Sequence, residues 1–386
     1  MKQIPGGITA PLGFTANGIA SGIKKSGGKD LALVYSNAPA VAVGMFTTNV
    51  FKAAHIAVDK IQLKNGRAQA IIVNSGNANC VQSKDGVAHA QRMTKCVAEK
   101  LEINETDVLV ASTGIIDQRL PIEKIEKASP LLVRGLSKTQ GQFAARAIMT
   151  TDTKPKEIAV TIKIGSNTVT IGGMSKGAGM IQPDMNFSGK KHATMLAFIT
   201  TDAAIEHKAL KKALKLAVDQ SFNTITVDAQ QSTNDSVFAL ANGLSGNRCI
   251  ELNGKDFVQF SQALNFICLE LAKMIVKDAE GANKFIQVIV KHAKTKEDAR
   301  KVGYSVANSI LLKIAIFGGN QNTGRIMAAI GSSGVQCNPA KVAIETDSFK
   351  KRDVNIVIDL KMGDFGTTVY TSDLSVGYVR INAGYN

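Results

Sequence analysis

Cysteine, histidine and aromatic residues are all scarce in this 386-residue chain, and each scarcity removes a class of function. The five cysteines (Cys80, Cys96, Cys249, Cys268, Cys337) are odd in number, widely spaced and free of any CxxC, so neither a disulfide framework nor a zinc site is indicated. The five histidines (His55, His89, His192, His207, His292) are equally scattered, and no metal is expected. No apolar run approaches the roughly 18–20 residues of a membrane span, and MKQIPGGITA lacks the apolar stretch of a secretory signal. The cytoplasm is the expected compartment. The formal charge of +15 raises the question of a nucleic-acid or membrane partner. Aromatics are only 5% of the chain and are not interleaved with the short basic clusters Lys190-Lys191, Lys211-Lys212 and Lys350-Lys351-Arg352, which excludes a base-stacking surface. What the charge allows is a modest steering of anionic metabolites.

What is present describes a globular protein. A hydrophobic share of 45% and a charged share of 20% are ordinary, and 34 glycines with few aromatics imply many tight turns. The length alone suggests two to three domains. Ala70-Ile71-Ile72-Val73 runs into Asn74-Ser75-Gly76-Asn77, and Val108-Leu109-Val110-Ala111 into Ser112-Thr113-Gly114; both read as buried strands that deliver loops to one edge. Phe260, Leu264, Ile267, Leu271 and Ile275 recur at helical spacing, a pattern that Asp278 leaves, and Leu210, Leu214 and Val218 share one face of a second helix. Thr295-x-x-Asp298 fits the start of a third. The class is mixed α and β, without repeats or long linkers.

Two glycine-rich stretches invite a phosphate-loop reading and fail it. Gly22 to Asp30 misses GxxxxGK[ST] by one residue and carries Asp where the hydroxyl belongs, while Gly319 to Ile326 lacks both Lys and the hydroxyl. No GxSxG elbow is present.

The stretch that carries chemistry runs from Gly172 to Ala204: GGMSKGAGMIQPDM, NFSGKKH, then ATMLAFITTDAA. It sets the small-residue pair Ala193-Thr194 at the mouth of an apolar, β-prone run, just after a glycine-rich segment holding Lys176. In an intact chain Thr194 is an ordinary strand-start residue. A cut before it would place a hydroxyl and a free α-amine on one residue, and an amine with a pKa near ~7.7–8.0 can serve as the hydroxyl's own base.

This context resembles the ornithine acetyltransferases, also called glutamate N-acetyltransferases, which read KGxGMI, PxMATML and TTDA. The likeness continues through GGITAPLGFTANGIASGIKKSGGKDLALV, MFTTNVFKAAH, VNSGNANC, VLVASTGII, MTTDTKPK, ITVDAQQSTND, DAEGANKF and INAGY, essentially end to end. The resemblance implies a self-cleaving α/β sandwich, N-terminal-nucleophile-like but distinct from the main hydrolase fold of that kind. It implies a cut at Ala193–Thr194 into an α-chain, 1–193, and a β-chain, 194–386, intertwined in one fold and assembled as a heterotetramer of two α and two β chains. It implies Thr194 as nucleophile, Thr113 and Gly114 as the oxyanion loop, and Thr150, Lys176, Thr194, Glu280 and Asn382 as substrate contacts. Lys176 suits a substrate carboxylate and Glu280 an ammonium group, with Thr151 a near-equal candidate beside Thr150. Acetyl would pass from N2-acetylornithine to glutamate in arginine biosynthesis, with no cofactor beyond a possible use of acetyl-CoA.

Four departures stand out. NFSGKKH (Asn186 to His192) separates Met185 from Ala193, the tail stops at Asn386 without the usual Ser or Thr, Ala229-Gln230-Gln231 replaces Gly-Asp-Thr, and Gln321 and Thr323 replace Pro and Trp. Two other functions stay open on the sequence: transfer of the acyl group to water by an amidohydrolase or aminopeptidase of related fold, and an uncleaved, non-enzymatic binding protein.

Overall fold

The computed structural model describes residues 1–81, 85–187 and 195–384. Two compact units divide the chain: Met1–Gly177, Pro183–Asn223 and Gln231–Ala272 form the first, and Ala178–Gln182, Thr224–Gln230 and Lys273–Asn386 the second. Ala193 and Thr194, the expected scissile pair, lie outside the described residues.

The first unit holds strands β1 (Lys2–Ile4), β2 (Phe14–Ile19), β3 (Leu31–Phe46), β4 (Arg67–Asn77), β5 (Val108–Ile115), β6 (Lys156–Ile164), β7 (Asn167–Lys176), β8 (Leu196–Thr201) and β9 (Ser236–Ala241). Its helices are α1 (Ala54–Gln62), α2 (Gly86–Leu101), α3 (Ile122–Arg134), α4 (Gly141–Ala147), α5 (His207–Asp219) and α6 (Lys255–Lys277), the last through Ala272. The strands form one sheet in the order β1-β6-β7-β8-β9-β3-β4-β5, with β2 also on β3.

The 16-residue β3 makes the corner. Its first half pairs with β2 and β4 and its second half with β9, and the register on β4 breaks between Tyr35 and Ala40, where Pro39 lacks a ladder donor. Side chains alternate cleanly across this half of the sheet. Leu31, Leu33, Ala70, Ile72, Val108 and Val110 pack with residues of α2 and α3. Ala32, Val34, Ile71, Val73, Leu109 and Ala111 instead share a core with Met174, Leu196, Phe198, Phe238 and Leu240 of β7, β8 and β9. One core between both halves means that the sheet doubles over on itself, giving the α/β sandwich expected from the family resemblance. On the outer side of β7, a methyl added at Gly173 would come to 2.9 Å of Ile199 and 3.0 Å of Leu271, so α6 lies close against the sheet there.

The apolar positions singled out in α6 are all fully buried, as are those in α5 to within 1%. β7 and β8 pair antiparallel, from Ile171↔Thr201 to Lys176↔Leu196, so residues on both sides of the expected cut belong to one sheet.

The second unit has a four-stranded sheet, β11-β12-β10-β13, from β10 (Phe285–Ala293), β11 (Ala343–Thr346), β12 (Asp353–Asp359) and β13 (Phe365–Ser372). Helices α7 (Lys296–Ala307), α8 (Ile310–Phe317), α9 (Thr323–Gly331) and α10 (Val376–Ala383) accompany it. Its core joins Val288, Ile356 and Val369 of the sheet to Val302, Ile316 and Ile326 of α7 to α9. Thr295 caps α7 as its spacing predicts, accepting from Asp298 N at 3.0 Å. No helix among the described residues is long and apolar enough to cross a membrane.

Candidate active site

In the first unit, three expected site residues meet at strand ends. Thr113, near the end of β5, is 2% exposed. Lys176, the last residue of β7, is 3% exposed and donates from Nζ to Thr113 Oγ1 at 3.3 Å and to Thr150 Oγ1 at 2.8 Å. Folding of the sheet is what joins them, since β8, β9, β3 and β4 stand between β7 and β5 in strand order. Of the two adjacent threonines, Thr150 supplies this hydroxyl. Because an ammonium only donates, the Thr113 and Thr150 hydroxyls accept from Lys176 and keep their own hydrogens for a ligand.

Gly114 is dictated by the backbone. Its φ is 131°, and a Cβ there would lie 2.4 Å from the Gly76 carbonyl carbon and 2.5 Å from Asn77 N, where the β4–β5 register shifts.

Asp152 organises the charges, and the sequence reading missed it. Its Oδ1 accepts from Lys156 Nζ at 2.6 Å and from Gly177 N at 2.7 Å, and its Oδ2 accepts from Thr150 N at 2.9 Å. Burial alone would raise the Asp152 carboxyl, but the charges of Lys176 and Lys156, with these hydrogen bonds, hold it well below the usual carboxylate range. Lys24 is lowered by burial and by the nearby Lys176 charge, against the raising effect of Asp30 and Asp152. Three lysines thus stand against two carboxylates, Asp152 and Asp30, a surplus of positive charge suited to an anionic group. The cue was in the sequence: Asp152 belongs to the MTTDTKPK block, four residues before Lys156.

Asn234 ties a further loop to this end of the sheet, its Nδ2 donating to Ala78 O and Ser112 O, each at 2.7 Å. Asp235 follows it and is fully buried. The Gly22 to Asp30 stretch binds its own anion: Asp30 Oδ1 accepts from Ser21 N at 2.6 Å, and Oδ2 from Ile23 N at 2.7 Å and Lys24 N at 3.0 Å. The backbone amides that a phosphate would need are taken.

In the second unit, Glu280 is 9% exposed, and its Oε2 accepts from Asn382 Nδ2 at 2.8 Å. Asn382 lies in α10, whose first turn is capped by Ser375, so the C-terminal asparagine is ordered on a helix. Tyr378 Oη donates to Asp228 Oδ2 at 3.2 Å, and the same carboxylate takes Met180 N at 2.6 Å and Ile181 N at 3.0 Å. Gly179 is required beside Glu280, because a Cβ would lie 2.3 Å from Glu280 Oε2.

The departures also have places. Asn186 pairs with Phe46 and the Phe187 ring lies under Lys211 Nζ at 4.7 Å, so the start of the inserted segment is tied down; residues 188–194 lie outside the described residues. Ala229 has φ 58°, a left-handed position that favours glycine. Gln321 accepts from Phe349 N at 3.1 Å and donates to Asp347 O at 3.2 Å, joining the segment before α9 to the loop before β12. Tyr385 and Asn386 are also outside the described residues.

A sequence model of the ArgJ family matches residues 15–386. The chain is 45% identical over 418 residues to the glutamate N-acetyltransferase of Methanocaldococcus jannaschii, covering 100% of both chains. It is 43% identical over 409 residues to the arginine biosynthesis bifunctional protein ArgJ of Caldanaerobacter subterraneus subsp. tengcongensis, again covering 100% of each. Among solved structures it is similar to the ornithine acetyltransferase of Mycobacterium tuberculosis complexed with ornithine, at 41% identity and a TM-score of 0.45 over 47% of this chain and 96% of that one.

Proposed function

The chain belongs to the ArgJ family and is a glutamate N-acetyltransferase of arginine biosynthesis, and we propose that it works through an acetyl ester on Thr194. The observation that carries this reading is the Lys176–Thr113–Thr150 cluster, set at the end of β7 where Lys176 pairs with Leu196, two residues after Thr194. The Thr194 amine takes the hydroxyl proton as the oxygen attacks the acetyl carbonyl of N2-acetylornithine. Thr113, with the Gly114 amide, holds the developing oxyanion. The amine returns its proton to the leaving ornithine, and glutamate then collects the acetyl group. Lys176 meets a substrate carboxylate with Thr150 beside it, while Glu280, steadied by Asn382, receives an ammonium group.

This chemistry needs no metal. After the cut, 1–193 and 194–386 stay together through the β7–β8 pairing, and two of each make a heterotetramer in the cytoplasm. Transfer to an amine, rather than to water or to no acceptor at all, is the reading that the full-length relationship supports.

Intact-mass spectrometry of purified protein is expected to show two chains, one ending at Ala193 and one beginning Thr-Met-Leu-Ala. N-acetylornithine alone should add one acetyl mass to the second chain, and glutamate should then release it as N-acetylglutamate. A chain that stays whole after prolonged incubation, or an ester discharged as fast without glutamate as with it, contradicts the mechanism.

Gly179→Ala tests Glu280 without deleting its charge. The added methyl displaces a flexible carboxylate, so folding is retained while kcat/KM falls at least about tenfold, the loss of a buried polar contact being worth ~1–3 kcal/mol. Unchanged kinetics would remove Glu280 from the substrate site.

A further inference from the structure

The α-nitrogen of N-acetylornithine is an amide, so the one ammonium that Glu280 can receive from it stands at the end of the side chain. A carboxylate tells such a group from a neutral one only when it is held where the group arrives, because a charge free to swing into solvent gains little. Glu280 is held from outside itself. Its side chain has one hydrogen-bond partner among the described residues, Asn382, whose Nδ2 donates to Oε2 at 2.8 Å. Whatever fixes Asn382 and the backbone beside Glu280 therefore fixes the carboxylate.

Both are fixed by one residue. Asp228 Oδ2 accepts from Met180 N at 2.6 Å and from Tyr378 Oη at 3.2 Å, and its Oδ1 accepts from Ile181 N at 3.0 Å and Gln230 N at 3.1 Å. From Met180 the chain leads back through Gly179, where a Cβ would lie 2.3 Å from Glu280 Oε2, to Ala178, whose carbonyl accepts from Glu280 N at 3.0 Å. From Tyr378 it leads one turn along α10 to Asn382, whose Nδ2 also donates to Tyr378 O at 3.0 Å. The two routes close a ring that contains Glu280, and every member belongs to the second unit. The start of α10 is seated on the same loop. Ser375 Oγ donates to Gly281 O at 2.5 Å, and a Cβ on Gly281 would lie 2.3 Å from Tyr378 N. No residue of α10 is buried, so apolar packing does little to set its rotation on that seat, and the polar ties decide it.

We propose that Asp228 and Tyr378 are positioning residues that make the Glu280 subsite selective for an acyl donor with a cationic side-chain end, an inference that rests on Glu280 receiving that ammonium. Burial and the charges of Asp228 and Glu280 raise the Tyr378 hydroxyl above its usual range, so it stays protonated and donates to Asp228 through neutral pH.

The test is the ratio of kcat/KM for N-acetyl-L-ornithine to that for N-acetyl-L-norleucine, in which a methyl replaces the ammonium, each with glutamate as acceptor. Wild type, Tyr378→Phe, Glu280→Gln and the double variant are compared. Tyr378→Phe keeps the ring and removes only the hydroxyl; its ratio is expected to fall at least about tenfold, with kcat/KM for N-acetylnorleucine within about threefold of wild type. In the Glu280→Gln background the same change should move the ratio less than about twofold, because the residue that it positions no longer carries a charge. An unchanged ratio in Tyr378→Phe overturns the proposal. So does an equal slowing of both donors, which marks a general loss of structure, and so does a fall of the same size in the Glu280→Gln background. If Tyr378→Phe does not fold, Asp228→Asn takes its place: the same selective fall supports the assignment, and an unchanged ratio or equal slowing overturns it. A wild type without preference for N-acetylornithine, or a Glu280→Gln variant that keeps the wild-type preference, is a failure of the Glu280 reading instead.

Discussion

Thr113→Ala is expected to slow both acetylation by N-acetylornithine and discharge by glutamate by two to three orders of magnitude. The Thr113 hydroxyl accepts from Lys176 Nζ at 3.3 Å in a buried setting, which leaves its hydrogen free to meet an oxyanion. A preorganised donor of this kind contributes about 3 kcal/mol in the transition state, and the same oxyanion site serves both halves of a ping-pong reaction. Single-turnover measurements of each half-reaction make the check. A variant slowed in only one half, or slowed less than about fivefold in both, takes Thr113 out of the oxyanion site. The Gly114 amide is harder to test by substitution, because any side chain there collides with the Gly76–Asn77 backbone.

Lys156→Met is expected to cost about 3–5 kcal/mol of stability at pH 7, because it strands the Asp152 carboxylate with one buried counter-charge fewer. The two side chains are 2% and 0% exposed at a separation of 2.6 Å, so solvent screening is negligible. The pH dependence follows from the sign of the shift. Asp152 is held below its usual value in the folded protein, so its stabilising contribution is complete above the unfolded value of about 3.9 and is lost as pH falls through the lower folded value. In the variant the carboxyl titrates higher, and protonation relieves the stranded charge sooner. The deficit relative to wild type should therefore be widest near neutrality and narrow below about pH 4. Denaturant midpoints across pH 3–7 measure this; a deficit under about 1 kcal/mol at pH 7, or one that stays constant with pH, rejects the account.

Local pattern made much of this molecule legible. The apolar runs ending in Asn74 to Asn77 and Ser112 to Gly114 are β4 and β5, the spacing from Phe260 to Ile275 is the buried face of α6, and Thr295 is a cap, because each signal depends only on residues near one another in sequence. The motif string from the first glycine-rich block to the closing INAGY was likewise enough to identify the family.

Position in sequence could not show which charges meet. Asp152 was visible as one letter in a block, four residues before Lys156, but its place beside Lys176 requires the start of β6 to come against the end of β7. Asp228 was hidden for the same reason: in the ITVDAQQSTND block it is one more acid, and only the fold sets its carboxylate between Met180, Ile181 and Tyr378. By itself, the sequence determined the family, the mixed α/β class, the Ala193–Thr194 junction as candidate cut and the list of candidate side chains. Only the tertiary structure decided that Thr113 and Thr150 share one ammonium, that Gly114 is forced by backbone crowding, and that Asp228 joins Tyr378 to the segment beside Glu280. The physical reason is the doubled sheet: bending at β3 brings together strands that four others separate in the ladder, and hydrogen bonds and charges act over a few ångströms of space rather than along the chain.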